Sequence, residues 1–433
     1  MGSALLAAAL REDGSALPGA GNADVQAARS QARARLQLRG GLAHAHSERW
    51  RYMPVRALEA QSLSAGEAPV SAVEPMGVPR VAGPRLVFAD GYFAPSMSDL
   101  RALPPGAVGL SLADLDDGQW ARYAQLLQLA DTEDELDALN LAQARGGFVL
   151  DVSAGSVLDA PLEIIHVGNA ATPIATHVRC LVRMGAGASV TLRERHVGGG
   201  SGLATVSTRW ILEEGAMLHV VQQQQAGASL SLLRRDEFRL AARSTLRLHA
   251  LELGAALSRR DLSIRLDGED ACAEVRQVAL TDGRQHSELA LDLRHAVGGT
   301  RSELRCRAVA SARARAVLHG AITIEAGADR SDASLDTRNL LLSESAEIDV
   351  RPTMEIHADE VRAAHGASVG QIDPGMMFYL RSRGLSQSQA RAMLVAAHCR
   401  ALLEDIVHPV LRADAEAALD AVVADWPSGG QPA

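Results

Sequence analysis

Two imidazoles and two carboxylates lie within nine residues near the end of this 433-residue chain, in the run His357-Ala358-Asp359-Glu360-Val361-Arg362-Ala363-Ala364-His365. Imidazole nitrogen and carboxylate oxygen together suit borderline divalent metals such as iron and zinc, and an imidazole can also pass protons near neutral pH. If the segment is extended, His357, Asp359 and Val361 share one face and Glu360 takes the other. The run then reads either as a mononuclear metal site or as a solvated polar face. Gly366 lets the backbone turn tightly beside His365, which makes His365 the strongest single candidate.

Other chemistry is excluded by residue type. All 43 basic residues are arginine. Without lysine there is no Schiff-base amine and no phosphate-binding P-loop, so any ATP the protein depends on is hydrolysed elsewhere. Cys180, Cys272, Cys306 and Cys399 stand far apart and form no C-x-x-C pair. They make neither a zinc knuckle nor a local cluster motif, and they read as free structural thiols in a reducing cytosol. Cys306 and His319, in the later part of the chain, are weaker candidates for lining a path for iron or sulfur. Tyr379, Arg381 and Arg383 fall on one short predicted helix, where a guanidinium pair is ordinarily solvated.

The formal net charge of -9 and pI near 5.9 give no overall field that attracts nucleic acid. Hydrophobic residues make up 47% but aromatics only 3%, which favours thin repeated layers over a bulky globule. The apolar run Ala4 to Leu10 is too short to span a membrane and lacks a preceding basic region. The chain is therefore expected to be soluble and cytoplasmic.

The elements that must position these residues follow from periodicity. Residues 1 to 145 read as a mostly helical N-terminal domain. It has a helix from Ala23 to Leu38 stopping near Gly40, a flexible connector near 62 to 84, and helical patterning again from Trp120 to Ala144. Within it Leu86 to Phe93 reads as a hairpin turning at Asp90-Gly91. From 146 to 372 the period becomes two. A turn residue followed by alternating apolar positions begins at Gly187, recurs at Gly215 and Arg243, 28 residues apart each time, and is echoed at Asp270. Short strands at constant period with no intervening helices indicate a solenoid in which each coil covers its neighbour, and a right-handed parallel β-helix satisfies the pattern best. An antiparallel sandwich would instead need hairpin turns every 8 to 12 residues or so. Residues 373 to 426 form a helical C-terminal domain. Asp373-Pro374 opens it, Gly384 closes its first helix, and Ser386 to Gln389 makes a capping box. Ala390, Met393, Leu394, Ala397, Ala401 and Leu402 are expected on the buried face of the next helix. Pro409 ends that helix, a last one follows over Val410 to Asp425, and the tail 427 to 433 is expected to be disordered.

The stretch Arg351 to Gly384 resembles the C-terminal signature of the SufB/SufD family of iron-sulfur cluster assembly scaffolds. Pro352, Glu355, Ile356, Ala358, Asp359, Val361, His365, Gly366, Val369, Gly370, Asp373 and Phe378 to Gly384 all match it. Ser47 to Tyr52 resembles the family's E-x-W-x-Y entry, and Asn339 to Ser343 resembles the N-L-L-L-S phrase of SufD-type members. The chain is most like SufD.

The resemblance implies a parallel β-helix flanked by helices, acting as a non-catalytic scaffold. It implies pairing with SufB through the strand edge at the carboxyl end of the β-helix, and docking of the SufC ATPase on the C-terminal helices, with Tyr379, Arg381, Arg383 and Met393 on the docking side. It also implies that His365, with His357 as a lesser candidate, takes part in iron or cluster assembly at the subunit contact. The family often carries cysteine two residues before this histidine, and here Ala363 stands in its place. One nitrogen cannot hold a cluster, so no cofactor is expected to be tightly bound to the isolated chain. Iron or a cluster would be held transiently, shared with SufB. The isolated chain is a candidate homodimer. A homodimeric assembly protein acting without SufB, and a β-helix polysaccharide lyase or hydrolase, are the alternatives. The second needs aromatic sugar platforms that this composition scarcely supplies.

Overall fold

The computed structural model describes residues 3–10, 17–40, 42, 50–66, 80–127, 135–424 and 426. Ser47 to Arg49 of the entry motif, most of the expected connector, part of the helical stretch from Trp120 to Ala144, and the tail 427–433 lie outside these residues.

Helices α1 (Ala4–Leu10), α2 (Ala23–Arg39) and α3 (Val55–Glu59) come first. The side chain of Asn22 caps α2 by accepting from the amides of Asp24 and Val25, both at 3.1 Å, and Gly40 ends it at φ 69°. Then follow β1 (Ser64–Ala65), β2 (Arg85–Ala89), β3 (Tyr92–Phe93), β4 (Ala107–Ser111), α4 (Asp117–Tyr123) and α5 (Glu135–Gln143). Strands β2 and β3 form the expected hairpin, with Asp90 at φ 49° and Gly91 at φ 84° in its turn. The first 145 residues thus contribute strands as well as helices, since β2 already pairs with the solenoid.

Sixteen strands complete the solenoid. They are β5 (Gly146–Val152), β6 (Leu162–Gly168), β7 (Ile174–Met184), β8 (Ser189–Gly198), β9 (Gly202–Leu212), β10 (Met217–Ala226), β11 (Leu230–Leu240), β12 (Thr245–Glu252), β13 (Leu257–Leu266), β14 (Cys272–Thr281), β15 (His286–His295), β16 (Arg301–Ala310), β17 (Arg315–Ile324), β18 (Asp332–Leu341), β19 (Glu347–Ile356) and β20 (Arg362–Gly370). From β5 onward, odd-numbered strands stack into one sheet and even-numbered strands into another; β4 and β1 bring the first to ten strands and β2 and β3 the second, giving a β-solenoid of about 8 turns. The chain is mainly β, with 44% strand against 23% helix.

The 28-residue spacing is the length of one early coil, as the pairing of Ser189 with Met217 and of Met217 with Thr245 makes explicit. A left-handed turn residue recurs at one position of successive coils: Gly187, Gly215, Arg243, Asp270, Gly299, Arg330 and Glu360, all with φ between 49° and 72°. Glycine takes this conformation freely. Where arginine, aspartate or glutamate does so, the stacked coils must hold it there, as when the amide of Arg243 donates to the carbonyl of Glu269 at 2.8 Å.

Inward-facing residues of the two sheets form the main core. It is built around Trp210 and Phe238, whose rings stack at 5.0 Å, and around leucines such as Leu246, Leu248, Leu262 and Leu304. Each fully buried leucine contributes roughly 1.5–3 kcal/mol of transfer free energy. Outside the odd-numbered sheet, Leu36, Trp50 and Leu139 of the N-terminal part pack on Leu203, Leu233 and Leu257. Asn140 of α5 fixes this layer. Its amide donates to the carbonyl of Val178 at 3.0 Å and to Thr205 Oγ1 at 2.9 Å, and its carbonyl accepts from Arg179 at 3.1 Å.

Outside the even-numbered sheet lie α6 (Pro374–Ser382), α7 (Gln387–Arg400) and α8 (Pro409–Ala424). Asp373 caps α6, Gly384 takes φ 93° after it, and Ser386 and Gln389 make both bonds of the capping box before α7. The buried face of α7 is rotated in part from the one expected, with Ala390 and Leu402 buried as expected. Val395, Ala396 and Cys399, with Leu402 and Leu403 beyond, pack on Val221, Leu251 and Val278, while Met393, Ala397 and Ala401 are exposed. Small alanines on both sides of the helix leave its apolar stripe ambiguous in sequence, and the sheet surface selects one.

Candidate functional site

The two ends of the solenoid differ. At the N-terminal end, β3 and β4 pair antiparallel with β2 and β5 and close both sheets. At the C-terminal end β19 and β20 each have one strand neighbour, and among the described residues no further strand pairs with them. All residues of β20 are exposed, and β19 is at most half-buried. An uncovered strand edge exposes unpaired backbone donors and acceptors and is a surface on which another chain can build.

His365 sits on β20, in register with Leu335 of β18. Leu335 is an inward-facing core residue, so His365 occupies the equivalent position of a coil that no further coil covers, and its side chain is exposed. His357, Asp359 and Glu360 lie in the turn between β19 and β20, with Glu360 at φ 49°. The strand geometry expected for His357 to Val361 is therefore replaced by a turn, because each coil must reverse here. Alternation does not assign their faces. The His357 amide donates to the carbonyl of Ile324 at 2.8 Å, and its imidazole is exposed.

The rim continues onto the helices. Helix α6 buries none of its residues, and Phe378 is 73% exposed. The Arg383 guanidinium lies 3.8 Å over the Tyr379 ring, which pre-orders both side chains at the surface. Among the described residues, twelve large apolar side chains are exposed and eight of them fall between Ile356 and Val410, Met376, Tyr379 and Met393 included. These side chains lie on the last two strands, on α6 and α7 and just before or at the start of α8.

The thiols are placed differently. Cys306 points into the solenoid and Cys399 beneath α7, and burial pushes both up to about 12, so they stay protonated. His319 lies on the outer face of the odd-numbered sheet, beside Arg265 and Arg294, and so does not share a path with Cys306.

A second constellation, not singled out from the sequence, lies inside the early coils. His166 of β6 stacks on His196 of β8 with ring centroids 4.4 Å apart, and the Nε2 atoms of the two histidines lie 3.2 Å and 3.3 Å from the same oxygen of Glu194. Burial raises the Glu194 carboxyl, but the two imidazoles outweigh it and hold the group well below the usual carboxylate range. Desolvation lowers His196 to about 4, which leaves it neutral. The signal available in the sequence is the coil length itself. His166 and Glu194 are 28 residues apart, and Glu194-x-His196 on a strand shares one face.

Comparison with known proteins agrees with this architecture. The family model described as "SUF system FeS cluster assembly, SufBD core domain" matches residues 166–398. The chain is 30% identical over 386 residues to an iron-sulfur cluster assembly SufBD family protein of Synechocystis, covering 84% of each chain. It is also 30% identical over 385 residues to the iron-sulfur cluster assembly protein SufD of Escherichia coli, covering 86% of this chain and 88% of that one. With the solenoid, the flanking helices and the exposed histidine of the last coil in place, the chain belongs to the SufBD family of iron-sulfur cluster assembly proteins and is similar to SufD.

Proposed function

We propose that the protein is a non-catalytic SufD-type scaffold subunit. It pairs with a SufB-type partner through the open edge of β19 and β20 and receives a SufC-type ATPase on α6 and α7. The observation that carries this reading is the asymmetry of the solenoid, closed at one end by antiparallel strands and left at the other as a fully exposed strand bearing His365. A partner strand laid along that edge would satisfy the free backbone groups and bring its own ligands beside His365. Iron or a nascent cluster is cargo at this contact. His365 supplies one nitrogen, and the thiolates come from the partner, because Ala363 leaves none on this strand and the four cysteines of this chain lie elsewhere.

In this reading Tyr379, Arg381, Arg383 and Met393, with Phe378 beside them on α6, meet the ATPase. Its closure on ATP moves the helices and, through their packing on the even-numbered sheet, the rim. The test is co-expression with SufB and SufC, followed by size-exclusion chromatography and iron and sulfide analysis. A three-component complex that carries iron and sulfide is expected. A homodimer that assembles clusters without SufB overturns the heteromeric reading.

A further inference from the structure

We infer that His166, Glu194 and His196 form a binding site for one divalent first-row transition ion, of the Fe(II) or Zn(II) class, between the sheets at the N-terminal end of the solenoid. The three donor atoms lie within 4.8 Å of one another, and this is the one such group of three found among the described residues. Each Nε2 is 3.2–3.3 Å from Glu194 Oε1. Neighbouring ligands of an ion bound at about 2.1 Å are separated by roughly 3 Å, as each Nε2 is from Glu194 Oε1, but the two rings stack within 6° of parallel, so both imidazoles must tilt out of the stack to aim their lone pairs at one ion.

Two further observations point to a ligand rather than to a finished hydrogen-bonded triad. His196 Nε2 is buried, and its polar contact is the 3.3 Å approach to Glu194 Oε1, an oxygen it shares with His166 Nε2 and meets without good hydrogen-bond alignment. A buried nitrogen with poorly aligned hydrogen bonding is unfavourable, a penalty that a metal bond would remove. The Glu194 carboxylate is also held from behind. Gln222 Nε2 donates to Glu194 Oε2 at 2.6 Å, and the Gln222 carbonyl accepts from Arg260, which pairs with Asp236 at 3.0 Å. Ligating carboxylates are typically fixed in this way.

A cavity of about 50 Å³ reaches His166 and His196 but not Glu194, and its other walls are mostly apolar, Val178, Val206 and Leu232 among them. Two imidazoles with one carboxylate favour Fe(II) or Zn(II) over Mg²⁺ or Ca²⁺, which take oxygen ligands. The site is at the opposite end of the solenoid from His365 and is independent of the partner proposal.

The test uses the untagged, full-length chain, stripped of metal and titrated anaerobically with Co(II) and with Fe(II). Bound metal is measured by mass spectrometry after desalting. The expected result is about one retained Co(II) per wild-type chain, with visible bands of a low-symmetry nitrogen and oxygen site. His365→Ala should keep this ion, Gln222→Leu should weaken it roughly 10–100-fold, and Glu194→Gln should lose it. Wild type retaining no more Co(II) than a folded Glu194→Gln chain would overturn the inference. Should Glu194→Gln fail to fold, the wild-type spectrum decides alone, and one indistinguishable from aqueous Co(II) refutes the site.

Discussion

His365→Ala and Leu335→Ala change two residues paired in register on adjacent strands of the same sheet, one on the open rim and one a coil inside it. Leu335 is 1% exposed and belongs to the main core, so its truncation removes buried methyl groups and leaves a cavity worth about 2–5 kcal/mol. His365 is exposed, and no side-chain hydrogen bond or ion pair to it occurs among the described residues. Its truncation should change stability by no more than about 0.5 kcal/mol. Urea unfolding followed by far-ultraviolet circular dichroism separates these outcomes, because a shift in midpoint at constant slope reports stability alone. The same His365→Ala chain, co-expressed with SufB and SufC, should assemble normally but yield less iron and sulfide. If His365→Ala lowers stability by more than about 1 kcal/mol, the imidazole is a packing element and the uncovered-coil argument fails. If stability and cluster content are both unchanged, the rim histidine has no part in assembly.

Acid should destabilise the fold through buried neutral histidines. Desolvation lowers His177 and His249 to about 3 and His219 and His295 to about 4. Because the unfolded chain takes up protons near 6.5 while the folded chain does not, this stability is complete above that pH and is lost as pH falls from about 6.5 towards 4 for His219 and His295 and towards 3 for His177 and His249. On the order of 3 kcal/mol is at stake for each of His219 and His295 and on the order of 5 kcal/mol for each of His177 and His249, and a urea midpoint that stays flat from pH 7 to pH 4 would contradict it. Asn140→Ala strips α5 of its bonds to Val178 and Thr205 and should cost on the order of 2–3 kcal/mol, seen as faster proteolysis in the N-terminal part. Phe378→Ser, on a helix that buries none of its residues, should leave the melting temperature within about 2 °C of wild type while reducing co-purification of SufC. Equal SufC recovery would remove α6 from the docking surface.

The sequence by itself determined the repeating architecture. A turn residue every 28 positions with alternating apolar residues has few solutions other than stacked coils, because strand period and coil length are both local properties of the chain. The Asp90-Gly91 turn, the Ser386 to Gln389 capping box and the Asp373-Pro374 helix opening were legible for the same reason, since each is satisfied within a few residues. The resemblance of the tail marked His365, and the open edge around it followed once that strand was recognised as the last. Tertiary structure alone decided the rest. Glu194 and His196 occupy alternate positions of a strand, a pattern that reads the same whether polar side chains face solvent or interior. Only the stacked coils turn them inward to meet His166. The rotation of α7 was likewise undetermined until the sheet surface, with Val221, Leu251 and Val278, selected which alanine-lined face to bury. Contacts within one coil or one helix turn are written in the local sequence. Contacts made across the solenoid depend on which face each strand presents, and that is fixed only when all the coils close on one another.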